Sequence, residues 1–185
     1  MTSVDVDQLR AALLDLWFAP EVQPQWFQPT IELDERLRSE FATAVERAGR
    51  GELDGLLASP EGSLALCLLL DQLPRNIWRG TPRAFAFDAR ARAVADQALA
   101  AGHDLAVRPD GRVFFYLPFE HSEDLADQER SVALFQPLGG VYLDYAIRHR
   151  EVIVRFGRFP HRNRILSRPS TAEEEAFLKE PGSSF

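Results

Sequence analysis

Apolar residues in this chain recur at helical spacing, and the runs that carry them are bounded by capping hydroxyls, prolines and glycines. The clearest run follows Thr30, where Leu33, Leu37, Phe41, Ala44, Val45 and Ala48 fall on one stripe and Gly49 is placed as the stop. Before it, Leu9, Leu13, Leu16 and Trp17 predict a helix that ends near Phe18 at Pro20, with Pro24 and Pro29 marking the loop between. Leu53 to Ala58 reads as a short helical turn. Ser59 and Pro60 then form a cap and first-turn pair for a helix to Gln72, apolar all round and closed by Pro74. Thr81 and Pro82 repeat that start, and Phe85, Phe87, Ala91, Val94, Ala95, Ala98 and Leu99 predict a helix of about five turns up to Gly102. Val113 to Leu117 has strand-like residues, but a lone strand among helices would leave its backbone unpaired, so a short buried helix is expected.

Ser122 is placed to cap a helix that turns Leu125, Val132 and Phe135 inward and ends at Pro137. Tyr142 to Phe156 forms another, stopped by Gly157, and Thr171 with Glu174 makes a capping box for a last helix through Leu178. The prediction is an all-α protein of seven to nine helices. With no linker or low-complexity stretch, residues 1–185 read as a single all-helical domain.

Composition narrows the class further. A chain of 185 residues with 45% hydrophobic and 26% charged residues can build a real core and does not resemble a disordered polypeptide. The longest apolar run, Leu64 to Leu70, is far short of the ~20 residues a membrane span needs. Met1 to Gln8 contains no Lys or Arg, unlike a secretory leader, so a cytoplasmic location is expected. Cys67 lies inside the apolar run and is expected to be a buried, inert thiol. Net charge is −7, yet the chain is arginine-rich: all but one of its 21 basic residues are arginines. Seven of these fall between Arg148 and Arg168, against Glu151 alone. In a net-acidic protein such a stripe pairs with internal carboxylates, and no nucleic-acid partner is expected.

Three polar corners interrupt the apolar pattern: Asp71-Gln72-Leu73-Pro74-Arg75-Asn76, Pro118-Phe119-Glu120-His121-Ser122-Glu123-Asp124, and Phe156-Gly157-Arg158-Phe159-Pro160-His161-Arg162-Asn163. Each has a proline or glycine at a helix end, which presents polar side chains from a stiff backbone. These segments, with Leu14-Asp15-Leu16-Trp17-Phe18, resemble the hallmark segments of the bacterial domain-of-unknown-function family 924. That resemblance implies an all-helical architecture of the tetratricopeptide-like superhelical type and no established activity. Where the family commonly has a glycine before Arg168 and a tryptophan at position 55, this chain has Ser167 and Gly55.

If the corners meet, Arg75, Arg158 and Arg162 would make an electropositive pocket for a small carboxylate- or phosphate-bearing molecule. Asn76, Glu120, Ser122 and Asn163 would complete its lining. His121, His161, Glu123 and Asp71 are the candidates for acid/base chemistry. Glu120, His121, Glu123, His149 and His161 include metal-ligating types, but no HExxH, CxxC or EF-hand spacing organises them, and neither metal nor cofactor is expected. The alternative is a non-catalytic module that binds a peptide or protein segment, its polar motifs bracing helix ends, with Arg75 paired back to Asp71. No Walker loop, dinucleotide loop or GxSxG elbow is present in the sequence.

Overall fold

The computed structural model describes residues 3–28 and 30–183, so Pro29 lies outside the described residues. Among these the chain is all-helical, with nine α-helices once the continuous stretch 60–77 is taken as one. They are α1 (Ser3–Trp17), α2 (Ile31–Gly49), α3 (60–77), α4 (Asp88–Ala100), α5 (His103–Ala106), α6 (Val113–Glu120), α7 (Leu125–Phe135), α8 (Gly140–Phe156) and α9 (Ala172–Phe177), joined by short 3-10 turns.

The chain forms two compact units. The first runs to Arg79 and resumes over Arg83–Pro118; the second takes Gly80–Pro82 and the described residues from Phe119 on.

In the first unit α2 begins as its sequence dictates, with Thr30 Oγ1 accepting the Leu33 amide at 3.2 Å. Its predicted stripe is buried. The stop lies two residues beyond Gly49, at Gly51, whose φ of +82° is the left-handed turn that a residue with a Cβ resists. Gly49 is small for another reason: a Cβ there would run into the Phe87 ring. The core around α1 is aromatic, Trp17 standing edge-on to Phe114 at 5.6 Å and Trp26 at 5.0 Å.

Helix α3 starts on Ser59, which accepts the Gly62 amide, and Pro60, as expected. It does not end at Pro74. Residues Leu68–Gln72 form a π-helical turn, and the helix resumes over Leu73–Ile77 with Pro74 in its first turn. The Leu73 amide donates to Leu68 five residues back, so the ladder is already widened where the proline ring would clash. Cys67, just before this turn, is fully buried; burial, then the Asp71 carboxylate, push its thiol up and keep it protonated. The five-turn helix is also corrected: Pro82–Phe85 is a separate 3-10 turn, and α4 starts only at Asp88. Helix α6 is a buried helix, and the division between the units falls inside it, after Pro118.

In the second unit α7 packs against α8. The cap of α7 is Asp124, which accepts the Ala126 and Asp127 amides, whereas Ser122 donates to the Asp127 carboxylate at 2.6 Å. The inward face also differs from the prediction. Leu125 is exposed and Val132 half-buried, while Gln128, Ser131 and Phe135 are buried. Gly157, at φ +67°, ends α8 as predicted. Helix α9 carries the full capping box and lies on the end of α8, through Phe177 against Phe156 and Glu173 against Arg155.

Candidate functional site

The Asp71–Asn76 corner belongs to the first unit, and the π turn buries its two leading polar residues. Asp71 is 1% exposed and accepts from Gln72 Nε2 at 2.5 Å. Arg75 makes the backward pairing to Asp71 at 3.3 Å, but its two-pronged contact is with Asp88, at 3.0 and 3.1 Å. Asn76 donates to buried Asp34 at 2.8 Å, and Arg79 grips the same carboxylate with two bonds. Asp71, Arg75 and Asn76 thus each have partners within their own unit.

The other two corners, apart from Pro118, lie in the second unit, where two groupings emerge. One is a brace. Glu123 accepts two bonds from Arg168, at 2.6 and 2.9 Å, and one from the Phe159 amide at 2.8 Å. Burial pushes the Glu123 carboxyl up, but the Arg168 guanidinium and the Phe159 N–H outweigh it and hold the group below the usual carboxylate range. Arg168 also donates to Asn163 Oδ1, and Asn163 donates to Ser170. Arg158 is gripped by Glu174 at 2.6 and 2.8 Å and reaches the Pro169 carbonyl.

Within the brace, Ser167 is the one described non-glycine residue with a positive φ, at 54°, which places strain at this turn. Left-handed backbone costs a side-chain-bearing residue about 1–2 kcal/mol, partly offset by the greater unfolded-state entropy of glycine. Ser167→Gly is therefore expected to raise the melting temperature by about 1–3 °C, read by calorimetry.

The second grouping is a cluster of imidazoles. Three of the chain's four histidines gather here. The His149 ring lies 6.4 Å from His121 and 5.6 Å from Phe159, which in turn lies 5.6 Å from His161. Arg162 stacks on Phe159 at 4.5 Å, and Glu120 comes within 3.3 Å of His149 Nδ1. The floor is shielded from bulk solvent: Glu120, His149 and Arg162 are each no more than 6% exposed. His121 and His161 are half-buried and form the open side.

Burial pushes His149 down to about 3 against a bond to the Tyr145 carbonyl that favours its charged form. Burial and the neighbouring Arg162 charge push His161 down to about 4. Both rings are therefore neutral at pH 7, and the His149–Glu120 contact involves a neutral imidazole rather than an ion pair. The Tyr145 carbonyl, 2.9 Å away, can only accept, so it fixes the His149 proton on Nδ1.

Of the residues singled out in the sequence, the structure brings Glu120, His121, His161 and Arg162 together. It places Glu123, Arg158 and Asn163 in the brace, Ser122 at the start of α7, and Asp71, Arg75 and Asn76 in the first unit. Arg168 was missing from the predicted site, and His149 was named in the sequence only among the metal-ligating types. The signal for His149 was its place on the buried stripe of α8, in step with Ala146, Val152 and Ile153. Among the described residues no group of three His, Cys, Asp or Glu is arranged to hold a metal ion. No helix among them is long and apolar enough to cross a membrane.

The family described as bacterial protein of unknown function (DUF924) matches residues 13–182. Among solved structures, the chain is similar to a protein of unknown function, ATU0120, from Agrobacterium tumefaciens. The two share 49% identity and a TM-score of 0.90, over 94% of this chain and 98% of that one. None of the curated proteins compared matches.

Proposed function

Since the chain belongs to the bacterial DUF924 family, whose description names no activity, we propose a function from the site alone: the imidazole cluster of the second unit binds a small carboxylate- or phosphate-bearing molecule. The observation that carries this reading is the convergence of His121, His149, His161 and Arg162 about the His149 and Phe159 rings. Arg162 supplies the planar cation that matches a carboxylate or phosphate with paired bonds. His161 and His121, on the open side, are the groups placed to move a proton.

The depressed pKa of His161 gives this reading a mechanism. Near 4, its ring is a weak base, held neutral by burial and by Arg162. An anion bound beside it would offset the guanidinium charge and favour the imidazolium, raising the pKa toward the range useful for general acid/base catalysis. Binding should then take up protons between about pH 4 and pH 6.5.

The test is a thermal-shift screen with phosphorylated and carboxylated metabolites, followed by titration calorimetry of any hit in two buffers of different ionisation enthalpy. A ligand at a hundredfold its Kd adds ~2.7 kcal/mol, a rise of roughly 5–10 °C for a chain of this size. The expected result is a hit that takes up protons near pH 6 and is lost in His161→Gln while the unliganded melting point stays put. A hit that survives His161→Gln, or a blank screen, would overturn the site.

A second reading is favoured by the brace. Glu123, Arg158 and Asn163 have internal partners, as the non-catalytic peptide- or protein-binding alternative requires of motifs that only hold the fold. A blank metabolite screen would favour it.

A further inference from the structure

Helix α7 turns Gln128 and Ser131 inward, where an amphipathic helix would ordinarily carry two apolar side chains. Both are fully buried. Gln128 Nε2 donates to the carbonyls of Glu120 and Ser122 at 2.7 and 2.6 Å, with that of Phe119 farther off at 3.4 Å. Carbonyls only accept, so the amide orientation is fixed and Oε1 is the end left over. Neither Gln128 Oε1 nor Ser131 Oγ has a hydrogen-bond partner within the protein. Two such oxygens on adjacent turns of one helix face would each carry a full desolvation penalty if nothing met them.

The register of the hairpin places small side chains at this level. Phe135 stacks on Tyr142 at 6.2 Å, and Glu129 pairs with Arg150 at 3.5 Å, so the two helices run antiparallel with Ser131 opposite Ala146 and Gln128 opposite His149. At the Ser131 level both side chains are small and both are buried, between the aromatic pair on one side and the Gln128–His149 level on the other. Two buried oxygens without protein partners at a small–small crossing suit one kind of occupant, a single water molecule, which needs two to four polar partners.

We infer that a water molecule is bound inside the α7–α8 hairpin, bridging Gln128 Oε1 and Ser131 Oγ at the level of the His149 ring. Residues three apart on a helix have Cβ atoms about 5–6 Å apart, within the span of one water donating to both oxygens. The water ties the α7–α8 hairpin to the end of α6, because the amide that receives it also clamps the Glu120 and Ser122 carbonyls. This inference stands apart from the anion-binding reading: the water is present whether or not the imidazole cluster takes a ligand.

The sign of one substitution tests it. With water bound, Ser131→Ala deletes a working hydrogen bond and strands the water, and the melting temperature is expected to fall by about 2–4 °C. In a dry site the same change removes an unsatisfied buried hydroxyl, and the melting temperature would hold or rise; that result overturns the inference. Magnetisation transfer from water to the Gln128 side-chain amide protons, in protein at neutral pH, provides an independent reading. Cross-peaks of the sign given by a long-lived internal water are expected for the wild type and should be absent from Ser131→Val, whose extra methyl groups fill the gap. Wild-type protein without those cross-peaks would sink the idea regardless of how the variants fold.

Discussion

Between pH 7 and pH 4 the free energy of unfolding is expected to fall by several kcal/mol, with His149 the largest single contributor. Burial holds His149 near 3 and His161 near 4, against 6.5 for an ordinary imidazole. Because the unfolded chain takes up these protons at the higher pH, the stabilisation is fully present above about 6.5. It drains away as pH falls toward the folded-state values. At about 1.4 kcal/mol per pH unit, His149 alone accounts for roughly 3 kcal/mol by pH 4, and His161 for somewhat less.

The two are not independent. His149 is also lowered by the charges of His121, Arg162 and His161, and Glu120 lies 3.3 Å from its Nδ1. His161 is lowered by Arg162, His121 and Arg168 and raised by Glu123. Their summed effect is therefore smaller than the sum of the parts. At the acid end Glu123 and Glu174 act in the same direction, since carboxyls held below their ordinary range lose their stabilisation as they protonate. Urea denaturation at pH 7, 6, 5 and 4 measures the slope, and His149→Gln should flatten it by close to one proton's worth between pH 6 and pH 4. A wild-type curve level from pH 7 to pH 4 would mean that the imidazoles titrate as they do in the unfolded chain.

What was legible in the sequence was local. Thr30, Ser59 and Thr171 cap the helices they precede because a cap and its amide lie three residues apart, and the chain states both partners at once. Pro74 misled for the same reason. The rule that proline ends a helix assumes an unbroken four-residue ladder, and the π turn over Leu68–Gln72 had already broken it. The inward face of α7 misled because hydrophobic periodicity cannot anticipate a glutamine whose amide is claimed by backbone carbonyls from another helix end.

The candidate site was half legible. Two loops echo each other, Leu73-Pro74-Arg75-Asn76-Ile77 and Phe159-Pro160-His161-Arg162-Asn163-Arg164-Ile165, each followed by an arginine. Those arginines, Arg79 and Arg168, do share a fate: each grips a carboxylate with two bonds. The carboxylates are Asp34 and Glu123, each 45 residues away in the chain, and no local pattern announces a partner at that distance. Arg158 and Glu123, which by type suit ligand binding and proton transfer, turn out to be paired inside the fold. His149, named in the sequence only as a metal-ligating type, sits in the imidazole cluster.

That division of labour gives the second large effect: Arg168→Ala should destabilise the protein by about 2–3 kcal/mol without any ligand present, lowering the melting temperature by roughly 5–10 °C. Arg168 supplies two of the three bonds that hold Glu123 and also donates to the Phe159 carbonyl and Asn163. Its loss leaves a half-buried carboxylate with the Phe159 amide as its one remaining donor among these, which is why the effect exceeds that of an exposed ion pair. Glu123→Gln, which keeps an acceptor for the Phe159 amide and removes the charge, should cost less than Glu123→Ala. The double variant Glu123→Gln with Arg168→Ala should then fall well short of the sum of the single effects, because each removes the same contact. Glu123 and Arg168 hold the segment that presents His161, so these variants move stability first and ligand binding only as a consequence. His161→Gln, on the open side of the cluster, should do the reverse. Calorimetry of the four proteins separates the roles: additive losses at Glu123 and Arg168 would mean that the two side chains act apart, and the brace described for the second unit would not exist.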